Sequence, residues 1–129
     1  MHLSHERPDY EFILRQADGR HARVNDRVLV RSFALAPDRL LDEWPAPAAA
    51  AGLLPAHMEP LLALRPELVV LGTGQRQSFP PPAVMAACLT RQIGIEVMDN
   101  AAAARTYNVL AGEGRRVVAA FLLDGGPAG

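Results

Sequence analysis

The 129-residue chain has no lysine; its 13 cationic side chains are all arginine. They are dispersed among 14 carboxylates, giving a formal net charge of −1 and no basic block. A surface that neutralises many nucleic-acid phosphates is not expected. Cysteine is almost missing: Cys88 stands alone, so no internal disulfide can form. That fits a reducing compartment, and a cytoplasmic location is expected. Aromatic residues make up 5% of a chain that is 50% apolar, so the core must come mainly from Ala, Leu and Val. Long hydrophobic runs are lacking as well. The longest, Pro45 to Ala56, is interrupted by three prolines and a glycine, too short and too broken to span a bilayer. Glu6, Arg7, Asp9 and Glu11 stand where a secretory signal needs an apolar stretch. Neither membrane insertion nor nucleic-acid binding is expected.

What is present suits one domain. Residues 1–8 read as a flexible tail, 9–124 as a single domain, and 125–129 as a second flexible tail. Tyr10, Phe12 and Leu14 alternate with more polar neighbours and lead into the turn signal Asp18-Gly19. His21 to Val24 forms the return strand. Asn25-Asp26 marks another turn, Val28 to Val30 opens a third strand, and Ser32 to Ala36 continues it after a bend. The first third is thus antiparallel β. Leu40 to Pro55 reads as a packed connection around Trp44 with one helical turn. Leu61, Leu62 and Leu64 predict a short helix ending before Pro66, with Pro60 suited only to its first turn.

The second half alternates. Leu68 to Leu71 is a continuous apolar run of the kind buried on both faces of a sheet. Pro80-Pro81-Pro82 opens a helix carrying Val84, Met85, Cys88 and Leu89, with Gly94 expected as its C-cap. Ile95 to Met98 is a strand. Asp99 caps a helix running to about Ala111, ended by Gly112 and Gly114. Val117 to Leu123 is the last strand. Strand–helix–strand–helix–strand predicts three parallel strands whose C-terminal ends share one edge, where ligands of open α/β sheets gather.

At that edge stands Gly72-Thr73-Gly74. It fails as a dinucleotide fingerprint, because Gln77 replaces the third glycine and the next helix starts too far on. A tight turn is one reading; a loop offering backbone N–H groups to a small anion, with Arg76 beside it, is another. At 100° per residue, Ala102, Ala103, Thr106, Val109 and Leu110 share one face of the last helix, small enough at its start to approach the sheet closely. Ala104, Arg105 and Asn108 fall opposite, with Tyr107 at the border, as a solvated face or a recognition surface. The candidate binding cleft therefore comprises Gly72, Thr73, Gly74, Arg76, Asp99, Arg105 and Asn108. No catalytic group, metal or cofactor is assigned. His2 and His5 are expected to be solvated, no His/Cys/Asp cluster has zinc spacing, and Ser78 has no evident base. Cys88 lies on an apolar stripe and reads as a small core residue.

The run from Gly72 to Pro80, the run Gly94-Ile95-Glu96-Val97-Met98-Asp99 and the run Arg105 to Leu110 together resemble the domain of unknown function 498, or Mth-938-like, family. The resemblance extends to Arg7-Pro8, Val24-Asn25, Trp44-Pro45, Pro66-Glu67 and Glu113-Gly114-Arg115. It implies an α/β domain with a mixed sheet and a β-hairpin layer. It further implies kinship with a mitochondrial assembly factor for respiratory complex I and with a small cytosolic protein linked to fat-cell differentiation. It carries no enzyme chemistry. Many bacterial relatives have cysteine where this chain has Ala104, so no cysteine mechanism is expected there. The leading expectation is a non-enzymatic binding or assembly protein whose partners are respiratory or membrane-complex subunits. The alternatives are a small-molecule or anion-binding domain, with weak enzyme activity at most, and self-association through the apolar segment Trp44 to Leu54.

Overall fold

A computed structural model describes residues 10–125. The tail at 1–8, with His2 and His5, lies outside these, as does the second tail beyond Gly125. Three short strands, β1 (Leu14–Ala17), β2 (Ala22–Val24) and β3 (Arg27–Leu29), form an antiparallel sheet in the order β1-β2-β3. The first hairpin is set by Asp18, whose Oδ1 accepts from the N–H groups of Arg20 and His21 at 2.8 Å each. Those bonds favour the ionised form and hold its carboxyl below the usual range. The second turn places Asn25 at φ 52°, a left-handed conformation that Asn tolerates better than most residues.

β1 starts only at Leu14. Tyr10 and Phe12, expected within it, lie on the approach, where the N–H groups of Glu11 and Phe12 both donate to Pro37 O. The bend at Val30 moves the chain to a second sheet. That sheet holds β4 (Arg31–Ala36), β5 (Arg39–Leu41), β6 (Leu68–Gly72), β7 (Gly94–Met98) and β8 (Val117–Asp124), in the order β5-β4-β8-β6-β7. β6, β7 and β8 are parallel, as the alternation predicts; β4 and β5 are antiparallel additions that make the sheet mixed.

Period-two alternation sorts the central strands into two cores. Phe33, Leu35, Val70, Ala119 and Phe121 face α3 (Asn100–Gly112) and the three-stranded sheet. Ala34, Val69, Leu71, Ala120 and Leu122 face α1 (Pro55–Leu62) and α2 (Pro82–Leu89). Phe33 and Phe121 stack at 5.0 Å between ring centroids. Trp44 and Leu53 are buried in the second core, and the indole N–H donates to His57 O at 2.8 Å. The segment expected to offer a dimer contact therefore turns Trp44, Ala50 and Leu53 inward and leaves Leu54 as its exposed large side chain.

Three local expectations are corrected. α1 begins at Pro55, so Pro60 lies inside it. Pro60 and Ala56, whose carbonyl loses its partner, are both exposed, so water can satisfy that oxygen. α2 is not capped by Gly94. Its left-handed residue is Gln92, at φ 60°, and Ile93 N–H closes the turn on Cys88 O at 3.1 Å. Gly94 instead opens β7, where a Cβ would come within 3.1 Å of the Leu68 side chain.

The third correction concerns α3. Its buried residues are Asn100, Ala103, Ala104, Tyr107 and Ala111, whereas Val109 is 59% exposed. The helix is turned away from its expected apolar stripe because a second layer needs polar ties. Tyr107 OH donates to Phe12 O at 2.6 Å, and Asn108 bonds to β1. Burial pushes the Tyr107 phenol pKa well up.

Candidate functional site

The crevice expected at the C-terminal ends of the parallel strands lies beside β6, where the chain leaves to one side for β7 and returns on the other as β8. One side chain ties its walls together. Asn100, at the first turn of α3 and wholly buried, accepts from Gly74 N–H at 3.0 Å through Oδ1. Its Nδ2 donates to Asp18 O at 2.8 Å and Leu122 O at 3.0 Å. This amide joins the Gly-Thr-Gly loop, the first hairpin and the central strand. Gly72 is glycine because a Cβ there would collide with Asn100 Oδ1.

The loop after β6 is laced internally. Thr73 N–H donates to Met98 O at 2.9 Å, and Asn100 N–H donates to Gly74 O at 2.8 Å. The Thr73 hydroxyl donates to Arg76 O at 2.8 Å and accepts from Ser78 N–H at 3.0 Å. Gly74 takes φ +103°, which disfavours a side chain. The N–H groups of Thr73, Gly74 and Ser78, which could have cradled an anion, are bonded to protein oxygens.

Gly72, Thr73, Gly74, Arg76 and Asp99 thus meet at one sheet edge. Asp99 caps α3 by accepting from Ala102 N–H at 2.8 Å. Arg105 is exposed on the outer side of the helix. Asn108 stands about two turns further along, roughly 12 Å from the helix start, and belongs to another contact. Its Oδ1 accepts from Leu14 N–H at 3.1 Å and Tyr10 OH at 3.2 Å, and its Nδ2 donates to Leu14 O at 2.8 Å. It imitates a strand residue and closes the outer edge of β1 at Leu14.

Surface depressions lie at both ends of the sheet. One, of about 480 Å³, adjoins the Gly-Thr-Gly loop, with Arg20, Arg76 and Asp124 on its walls. Another, of about 470 Å³, lies at the opposite end of the sheet between Tyr10, Leu64 and Arg39. Among the described residues, no three His, Cys, Asp or Glu side chains gather as a metal site, and no helix is long and apolar enough to cross a membrane. Cys88 is fully buried, and burial pushes its thiol pKa up, away from the reactive thiolate. Ala104 is buried in the core facing α3.

Sequence reasoning missed Asn100. The available signal was an Asn inside the first turn of a helix already capped by Asp99, a place where propensity favours other residues.

Comparison with known proteins agrees with this architecture. The NMR structure of a Xanthomonas campestris protein is 56% identical, covers 100% of this chain and 97% of its own, and has a TM-score of 0.84. A Mth938-like domain from Bordetella pertussis is 30% identical, covers 88% of this chain and 87% of its own, and has a TM-score of 0.74. The 13 kDa major membrane protein of Francisella tularensis is 32% identical over 62 residues, 48% of this chain and 50% of that protein. The bovine NADH dehydrogenase [ubiquinone] 1 alpha subcomplex assembly factor 3 is 42% identical over 62 residues, 48% of this chain and 34% of that protein. The matched segment thus spans half or less of these curated relatives. The model of a protein family described as "Protein of unknown function (DUF498/DUF598)" matches residues 14–122. With most of its length matched and its sheets and helices arranged as in a Mth938-like domain, the chain belongs to the DUF498 family.

Proposed function

We propose that this chain is a non-enzymatic assembly factor that binds protein subunits of a membrane-bound respiratory complex. The observation that carries the reading is the 62-residue similarity to the bovine assembly factor, at 42% identity. The geometry supports it, because the N–H groups of Thr73, Gly74 and Ser78 at the sheet's switch point are used by the fold through Met98, Asn100 and Thr73. The test is cross-linked affinity capture from the source cell, together with native gels of its respiratory complexes with and without the gene. Recovery of respiratory subunits and a loss of assembled complex, restored by a plasmid copy, is the expected result. Unchanged complexes and no captured subunit would overturn it.

The depression walled by Arg20 and Arg76 favours a second reading, a small-anion site. An anion at 100 times its dissociation constant adds about 2.7 kcal/mol of stability. A thermal-shift series with phosphate, nucleotides and acyl cofactors reads this directly. Silence, or an equal shift in Arg76→Ala, removes it.

A further inference from the structure

β7 is an edge strand, paired with β6 on one side only. Gly94 N–H donates to Glu67 O at 3.2 Å, and Met98 O accepts from Thr73 N–H at 2.9 Å. Alternation in a parallel ladder then turns the backbone groups of Ile95 and Val97 outward, two N–H and two C=O. Among the described residues, one of the four has a side-chain partner: Val97 O accepts from Gln77 Nε2 at 2.9 Å. An exposed side-chain amide thus holds the place where a neighbouring strand's N–H would donate. No residue of β7 is fully buried. The helices packed beside it carry exposed Leu89 and Val109.

Other edges are short or sealed. β3 and β5 have three residues each, and the Arg27–Asp42 pair, at 2.8 Å, ties their neighbourhoods together. The Leu14 backbone in β1 is closed by Asn108. Such sealing is how sheets avoid unwanted pairing, and β7 has little of it.

Charge selects the occupant. Glu96 is exposed at the middle of β7 and has no ion-pair partner among the described residues. Arg115, whose charge interacts with Glu96, is committed to Glu67 at 2.6 Å. A second copy pairing antiparallel about Glu96 would set two carboxylates directly opposite, which is destabilising. A basic side chain at that position is attracted instead, while its neighbours fall on the same side as Ile95 and Val97, which pack against the second core.

We propose that the outer edge of β7 receives an extended apolar–basic–apolar segment of a partner protein as a sixth strand, with Gln77 holding the edge until it arrives. This deepens the assembly-factor reading and rests on it. The test is ¹⁵N NMR titration of the full chain with the peptide acetyl-Thr-Val-Arg-Val-Thr-amide, and with the same peptide carrying Glu in place of Arg. The expected result is a shift and slowed exchange at the Ile95 and Val97 amides, with the Arg peptide about three- to tenfold tighter. Glu96→Lys reverses the preference and Glu96→Gln removes it; both substitutions are on the surface. Shifts elsewhere, equal affinity for the two peptides, or protection that grows with protein concentration alone would overturn the proposal. If cell capture still recovers respiratory subunits with Glu96→Lys at wild-type yield, the edge assignment fails while the assembly reading stands.

Discussion

Helix α3 touches two edge strands and closes only one. At β1, Asn108 takes both outward backbone groups of Leu14, and on the approach to it Tyr107 takes the carbonyl of Phe12. At β7, the sealing group is the exposed side chain of Gln77, and it occupies one carbonyl. The first arrangement uses residues anchored in a packed helix and belongs to stability. The second uses a loop side chain that can swing away at little cost. Two edges of similar chemistry are thus separated by what holds their covering groups in place.

The largest expected effect comes from removing the tie that seats α3 against both layers. Asn100→Ala leaves Gly74 N–H and the carbonyls of Asp18 and Leu122 without their partner. Since each orphaned buried group costs about 1–3 kcal/mol, a loss of about 3–5 kcal/mol is expected in urea unfolding. Asn108→Ala opens β1 and is expected to cost about 2 kcal/mol. It also makes the Leu14 amide exchange with solvent, so that β1 comes to resemble β7.

Alkaline unfolding sharpens the same contrast, because the sequence has no lysine to titrate over it. Burial raises the Tyr107 phenol pKa in the folded state. Its contribution is fully present below the unfolded phenol's value of about 10 and is lost as pH rises from there toward the folded value. The expected slope is about 1.4 kcal/mol per pH unit for this group. Tyr107→Phe should reduce that slope, and the remainder belongs to the Tyr10 phenol and the Cys88 thiol, which burial also raises. The smallest effect is that of Gln77→Ala. Its single exposed bond makes the expected change less than about 0.5 kcal/mol, with the edge more open afterwards.

Much of this architecture is legible in the sequence for physical reasons. Apolar runs at Leu68–Leu71 and Val117–Leu123 announce strands buried on both faces, and Asp99 announces a helix start. The face of α3 is not legible. Its Ala-rich stretch has a weak apolar preference, so the decision falls to Asn100, Tyr107 and Asn108, whose partners in the first hairpin and its approach, Asp18, Phe12 and Leu14, lie 82 to 95 residues away. On their own, Gly72 and Gly74 read as a tight turn or as a loop for a small anion. They become a packing requirement once Asn100 is placed against them. The β7 edge was invisible for a related reason: strand order, not strand identity, decides which backbone groups are left outside.

Backbone amide exchange, residue by residue, tests the contrast most directly. In the isolated chain, Leu14 should be protected while Ile95 and Val97 exchange at rates close to those of open backbone. In a complex captured from the source cell, Ile95 and Val97 should become protected and Leu14 should not change. Protection of Ile95 and Val97 in the dilute free chain, or no change there in the complex, would contradict the assignment of β7 as the docking edge.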